Sequence, residues 1–143
     1  IGLNLNSFSN NLYKSIISGQ DFKIFGNNHK TLDGTPVRDF IHVDDLANIH
    51  FESLKYLIKN KKNQICNCGY GKGYSIEHVI KTLYKNKEMN LNYSFSKKRP
   101  GDISYMVADT KKLNKILNWK PKYSNLKKMI FSELKWRNKL TNN

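Results

Sequence analysis

Fifteen residues, Asp33 to Ala47, run Asp-Gly-Thr-Pro-Val-Arg-Asp-Phe-Ile-His-Val-Asp-Asp-Leu-Ala and set a tight turn, a strand and a helix start in immediate succession. Gly34 accepts positive φ without steric cost, and Pro36 then sets the chain to extend. A strand from Val37 to Val43 alternates its faces with period two, so Arg38, Phe40 and His42 project together. Asp44 or Asp45 caps the helix that follows, its carboxylate accepting from orphan N–H groups at the positive end of the helix dipole. A strand-to-helix corner with a guanidinium beside an aromatic ring suits an anion. A solvated arginine paired with a nearby Asp accounts for the same residues.

The remaining elements are placed around this run by periodicity. A helix from about Asn10 to Ser18 ends at Gly19, and Phe22 to Phe25 reads as a short strand. A helix over Asp45–Lys59 aligns Leu46, Ile49, Leu54, Leu57 and Ile58 in one stripe, and Gln64 to Cys68 reads as a further strand. Ser75 opens a helix carrying Ile76, Val79, Ile80 and Leu83, and alternation at Leu91, Tyr93 and Phe95 gives another strand. Asp109 caps a short helix with Leu113, Ile116 and Leu117. Ser124 caps the last one, with Leu126, Met129, Ile130 and Leu134 buried and Arg137 on the surface. The pattern predicts an α/β fold, a small mixed lobe occupying residues 1–143 as one domain, without repeats or a linker.

Two passages carry further chemistry. Cys68-Gly-Tyr-Gly-Lys-Gly-Tyr-Ser75 is a glycine-rich turn into a helix, the outline of a phosphate cradle. Its Gly-x-Gly-x-Gly spacing is neither the dinucleotide fingerprint nor a P-loop, so a structural turn is the better reading. Lys97-Lys-Arg-Pro-Gly-Asp102 sets a cation cluster three residues before a carboxylate. That loop can grip a phosphate through Arg99 and accept from a sugar hydroxyl through Asp102, or it is an exposed turn with a local ion pair.

The formal charge of +14 suggests nucleic acid, since cations that neutralise phosphates release counterions. Of the 25 basic residues, however, 22 are lysines spread along the chain and three are arginines, Arg38, Arg99 and Arg137. Base readout and phosphate forks favour arginine, which argues against a dedicated nucleic-acid module. Cys66 and Cys68 are too close in sequence for an unstrained disulfide, and with four scattered histidines they complete no metal site; buried reduced thiols are expected. No signal peptide or membrane-length apolar run is present, so the chain reads as cytoplasmic. It opens on Ile, consistent with processing or with a piece of something longer.

Taken together, Asp33-Gly34-Thr35 with Val37 to Val43 and Asp45-Leu46-Ala47, Asn67 with Gly69, Gly71, Gly73 and Ser75, Arg99-Pro100-Gly101-Asp102, Ala108-Asp109, and Leu117-Asn118-Trp119 with Pro121 resemble the UDP-glucose 4-epimerase family of extended short-chain dehydrogenase/reductases. The resemblance covers nearly all of this chain and only the C-terminal part of the family's length. It implies the substrate-binding lobe without its N-terminal Rossmann lobe. By that resemblance Arg38 and Arg99 clamp the diphosphate of a UDP-hexose, Asp102 meets the uridine ribose, Phe25 lies against uracil and Asn6 contacts the pyrophosphate. Phe40 stands where the family usually has Tyr, and Met106 where side-chain bulk bears on N-acetylated sugars. The family uses NAD and a Tyr-x-x-x-Lys motif; the stretches that carry the resemblance bring neither that motif nor the glycine fingerprint onto this chain, so no catalytic, cofactor or metal residue is assigned. An inactive chain, completed by a separate Rossmann lobe, is the resulting expectation. A basic nucleic-acid module and another NAD-dependent sugar-nucleotide epimerase or dehydratase are the alternatives.

Overall fold

The structure, a computed structural model, describes residues 7–85 and 91–141. Helix α1 (Phe8–Ser18) starts where the Ser7 hydroxyl accepts from the Asn10 N–H, and strand β1 (Phe22–Phe25) follows its Gly19 cap. Then come β2 (Val37–Arg38), α2 (Val43–Asn60), β3 (Tyr74–Ser75) and α3 (Ile76–Tyr84). The described chain ends with β4 (Tyr93–Ser96), β5 (Tyr105–Met106), α4 (Lys111–Ile116) and α5 (Leu126–Thr141). This is the mixed α/β class that the pattern predicts.

Two small sheets organise these elements. β1 and β4 pair in parallel with Phe22 opposite Tyr93 and Phe25 opposite Ser96. β2 lies between β3, antiparallel to it, and β5, parallel to it with Arg38 opposite Met106. A parallel pair needs cover on its faces. α1 packs on β1 and on α5, and α3 packs on α5, so Leu12, Ile24, Ile80, Leu83, Leu91 and Leu134 close into one core. A second, smaller core joins Ile49 of α2 to Leu113, Leu117 and Trp119.

Several elements differ from expectation. The strand predicted over Val37–Val43 is two residues long, because the Asp39 carboxylate turns aside to accept from the backbone N–H groups of Tyr70, Gly71 and Ala108. α2 is capped by His42, whose Nδ1 accepts from the Asp44 N–H at 3.1 Å; Asp44 and Asp45 lie inside the first turn. Asp45 is 1% exposed and accepts from the Tyr70 hydroxyl at 2.6 Å and from the N–H groups of Lys122 and Tyr123 at 3.0 and 2.9 Å. The last helix begins one residue later than read, with Asn125 Oδ1 accepting from Lys128 N–H where Ser124 was expected. Arg137 is no surface residue: its guanidinium donates to Glu133, Asn10 and Ser9, fastening α5 to α1.

Residues 64–68 form no strand, and Ile65 is 89% exposed. Leu54, Leu57 and Ile58, predicted to be buried with Ile49, stay exposed on α2 beside Val43 and Phe51. Periodicity reports a face made to be covered; on it Ile49 is buried and Leu46 half-buried, while the rest of the stripe stays exposed. Cys66 is half-buried and Cys68 exposed, not buried as expected, and both are free. No described helix is long and apolar enough to cross a membrane.

Burial pushes the Asp33 and Asp45 carboxyls up, but their hydrogen bonds, from Ser75 and Thr35 and from Tyr70, Lys122 and Tyr123 respectively, outweigh it and hold both below the ordinary 3.8. Lowered folded values mean stabilisation that is fully present above 3.8 and lost as pH falls through them. Replacing Asp45 with Ala should cost about 2–4 kcal/mol in urea unfolding at pH 7, since it leaves three donors unpaired. The gap from the unchanged chain should be constant above about pH 5 and shrink in acid, as the carboxyl protonates.

Candidate functional site

β1 alternates in burial, with Phe22 and Ile24 facing the core and Lys23 and Phe25 turned the other way. Arg38 of β2 stands beside this strand, and an open hollow of about 190 Å³ lies along it. Phe8 and Asn11 of α1, all four residues of β1, Pro36, Arg38, Phe40, Ile76 and the pair Arg99 and Asp102 line it. Two other hollows are larger: one of about 240 Å³ between α1, α5 and the start of α2, and a groove of about 410 Å³ beside residues 62–68. Neither carries an arginine.

The Arg99–Asp102 turn explains how one short loop serves the hollow twice. Pro100 fixes the second position, Gly101 takes φ +76 at the third, and the Asp102 N–H donates to the Arg99 carbonyl at 3.1 Å. These are the marks of a type II turn, which needs glycine there. Arg99 leaves one end to lie 3.7 Å over the Phe25 ring. Asp102 leaves the other, and its Oδ1 accepts from an Arg38 terminal nitrogen at 2.7 Å.

Arg38 is oriented further by the Ile103 and Val37 carbonyls, which accept from its other terminal nitrogen at 2.7 and 2.8 Å. Of the five N–H donors of a guanidinium, three are thus engaged by described residues, and two are not. Arg99 makes no hydrogen bond or ion pair with a described residue, and the second Asp102 oxygen accepts from none. Lys23, Arg38 and Arg99 against Asp102 leave the hollow with an excess of positive charge. That arrangement can grip a doubly charged anion by the two forks and accept from a hydroxyl beside it.

Of the residues singled out from sequence, Phe25, Arg38, Phe40, Arg99 and Asp102 come together at this hollow. Met106 sits across the ladder from Arg38 but is exposed and does not line it. Asn6 lies outside the described residues. The amide that does line the hollow is Asn11, and sequence reading missed it together with Lys23. Lys23 was detectable, since period two puts it on the same face as Phe25.

The glycine-rich turn does wrap an anion, but the anion is the chain's own. Asp39 Oδ1 accepts from Tyr70 N–H at 3.1 Å and Oδ2 from Gly71 N–H at 2.9 Å. A Cβ on Gly69 would meet Asp39 Oδ2 at 2.5 Å, so the carboxylate fills the space a phosphate would take. The described residues therefore do not fit a dinucleotide here. Among them there is also no group of three or more His, Cys, Asp or Glu side chains able to hold a metal ion.

The profile of the NAD dependent epimerase/dehydratase family matches residues 3–69. The chain is similar to the UDP-glucose 4-epimerase of Lactobacillus helveticus, 38% identical over 127 residues that make up 88% of this chain and 38% of the relative. The Bacillus subtilis (strain 168) UDP-glucose 4-epimerase is 33% identical over 147 residues, 99% of this chain and 43% of its own length. In three dimensions, the UDP-glucose-4-epimerase of Stenotrophomonas maltophila with bound NAD and formylated UDP-arabinopyranose superposes with a TM-score of 0.89 at 26% identity, over 99% of this chain and 43% of that one. The Bifidobacterium longum UDP-glucose 4-epimerase in complex with NAD+ and UDP gives 0.78 at 33% identity, over 99% and 42%. The chain spans about two fifths of the length of the relatives it matches.

Replacing Asp39 with Ala should cost about 2–3 kcal/mol in chemical denaturation, because three backbone donors lose their acceptor. The variant should gain no measurable affinity for NAD in titration calorimetry. Tight NAD binding by it would show that the glycine turn is a nucleotide cradle after all.

Proposed function

Because the chain belongs to the NAD-dependent epimerase/dehydratase family, we propose that it supplies the UDP-sugar-binding part of a UDP-glucose 4-epimerase, acting in the cytoplasm on UDP-glucose and UDP-galactose in galactose metabolism. One observation carries the reading. Two of only three arginines, 61 residues apart in sequence (99 less 38), face one hollow together with an aromatic ring and a carboxylate.

Each group then has a task. Arg38, held by Asp102 and two carbonyls, presents its two remaining donors to the diphosphate from a fixed position. Arg99 is the adaptable one: unbound by any acceptor among the described residues, it swings from the Phe25 ring to the phosphates, and the uracil takes its place on the ring. That exchange trades a cation–π contact of about 0.5–1 kcal/mol for base stacking of about 1–3 kcal/mol. The free Asp102 oxygen accepts from a ribose hydroxyl, Asn11 donates its amide to a phosphate oxygen and Lys23 adds charge. Met106, outside the hollow, stands ready to limit the sugar end.

No step of hydride transfer is assigned to these residues: the sequence lacks the glycine fingerprint, and its two Tyr-x-x-x-Lys spacings, Tyr93 to Lys97 and Tyr123 to Lys127, fall on strand β4 and across the start of α5, with the Tyr123 ring stacked on His42, and neither pair lies together on one helix. The chain alone is therefore expected to be inactive. The exposed face of α2 with Ile65 is where a Rossmann lobe would pack, whether in the same polypeptide or a separate one.

The purified chain should bind UDP in titration calorimetry and show no turnover of UDP-galactose. Replacing Arg99 with Ala should weaken UDP binding about tenfold, and replacing Lys97 with Ala less than about twofold. Equal losses would mean that UDP responds to net charge alone. In that case sequence-independent RNA binding with a steep salt dependence would favour a nucleic-acid module.

A further inference from the structure

We infer that His29 is a positioning residue that sets the distance between the base end and the phosphate end of this hollow; the inference rests on the UDP-binding reading above. His29 lies in the loop between β1 and β2 and is 4% exposed. Its Nε2 is 3.3 Å from the Phe25 carbonyl and its Nδ1 3.1 Å from the Ser104 hydroxyl. A carbonyl can only accept, so Nε2 carries the proton and the Ser104 hydroxyl donates to Nδ1. Through those two bonds one imidazole joins the strand end that bears Phe25 to the segment that follows Asp102.

The bridge is built stiff. The His29 N–H donates to the Gly34 carbonyl at 2.9 Å, the Thr31 N–H to the His29 carbonyl at 2.8 Å and the Thr31 hydroxyl to the Thr35 carbonyl at 2.7 Å, so the loop is wound upon itself. Beneath the ring, Gly26 leaves no room: a Cβ there would come within 2.5 Å of His29 Nε2 and 3.2 Å of Lys98 Cβ. Gly26 thus sits close to both the imidazole and the stem of Lys98, the residue next to Arg99. Ser104 in turn accepts from the Val37 N–H at 2.9 Å through its carbonyl, which carries the brace to the strand holding Arg38. Phe25, the Arg99–Asp102 turn and Arg38 arrive on three segments; the Arg38–Asp102 pair joins two of them, and His29 ties the Phe25 strand to both by way of Ser104.

A nucleotide feels this brace differently from a bare diphosphate. Uracil and ribose need Phe25 and Asp102 at a fixed separation from the two guanidinium groups, whereas inorganic pyrophosphate needs only the guanidinium groups. The test compares UDP and inorganic pyrophosphate on the full chain by titration calorimetry. His29→Leu should lower UDP affinity about tenfold and pyrophosphate affinity less than about twofold. His29→Gln, whose amide can still donate to the Phe25 carbonyl, should recover most of the UDP loss. Ser104→Ala removes the hydroxyl while keeping the backbone pairing to Val37, and should reproduce the selective loss more weakly even if His29→Leu folds poorly. An unchanged ratio of the two affinities in these variants overturns the role of His29 while leaving UDP binding in place. A wild-type chain that binds pyrophosphate and UDP equally, or neither, overturns the reading beneath it and the inference with it.

Discussion

Asp39 is the residue on which the site depends. Its carboxylate takes three backbone N–H donors, two from the glycine turn and one from Ala108 beyond β5, and so ends β2 immediately after Arg38. Asp33 and Asp45, six residues to either side, act in the same way. Asp33 accepts from Thr35 and Ser75 at the start of α3, and Asp45 from Tyr70 and the chain at Lys122 and Tyr123. Three carboxylates in one short run collect donors from the glycine-rich turn, the start of α3 and the segments that follow β5 and α4. A buried carboxylate satisfied by several N–H groups is a strong local constraint, since leaving those donors unpaired is costly.

That constraint decides which charges are spent on folding and which on binding. Asp39 and Asp45 are consumed by the scaffold, and Arg137, clamped between α1 and α5, is consumed with them. Arg38 is half consumed: Asp102 and two carbonyls orient it, and part of its fork still faces the hollow. Arg99 is not consumed at all, and its resting place on Phe25 costs little to leave. A preorganised arginine beside an adaptable one suits a ligand that must be held at its diphosphate.

Much of this was legible in the sequence. α1, α3 and α5 follow their apolar stripes, and the Gly19 and Ser75 caps stand where local chemistry puts them. Where reading failed, a tertiary partner had overridden a local rule. Val37–Val43 alternates like a strand, yet the appetite of Asp39 for amides cuts it short. Asp44 and Asp45 look like caps, yet His42 caps and Asp45 is claimed by Tyr70. Residues 64–68 and the stripe of α2 carry patterns suited to a covered strand and helix, and no described residue covers most of them. Asn11 escaped notice because an amide in the second turn of a helix announces nothing until β1 and β2 close around it.

The three arginines of this chain give the account its most direct test, because each contributes its own Nε–H signal to a nitrogen–proton NMR spectrum. On titration with UDP, the signals of Arg38 and Arg99 should move together along one binding curve while that of Arg137 stays still. Movement of Arg137 with the others, or separate curves for Arg38 and Arg99, would contradict a shared site.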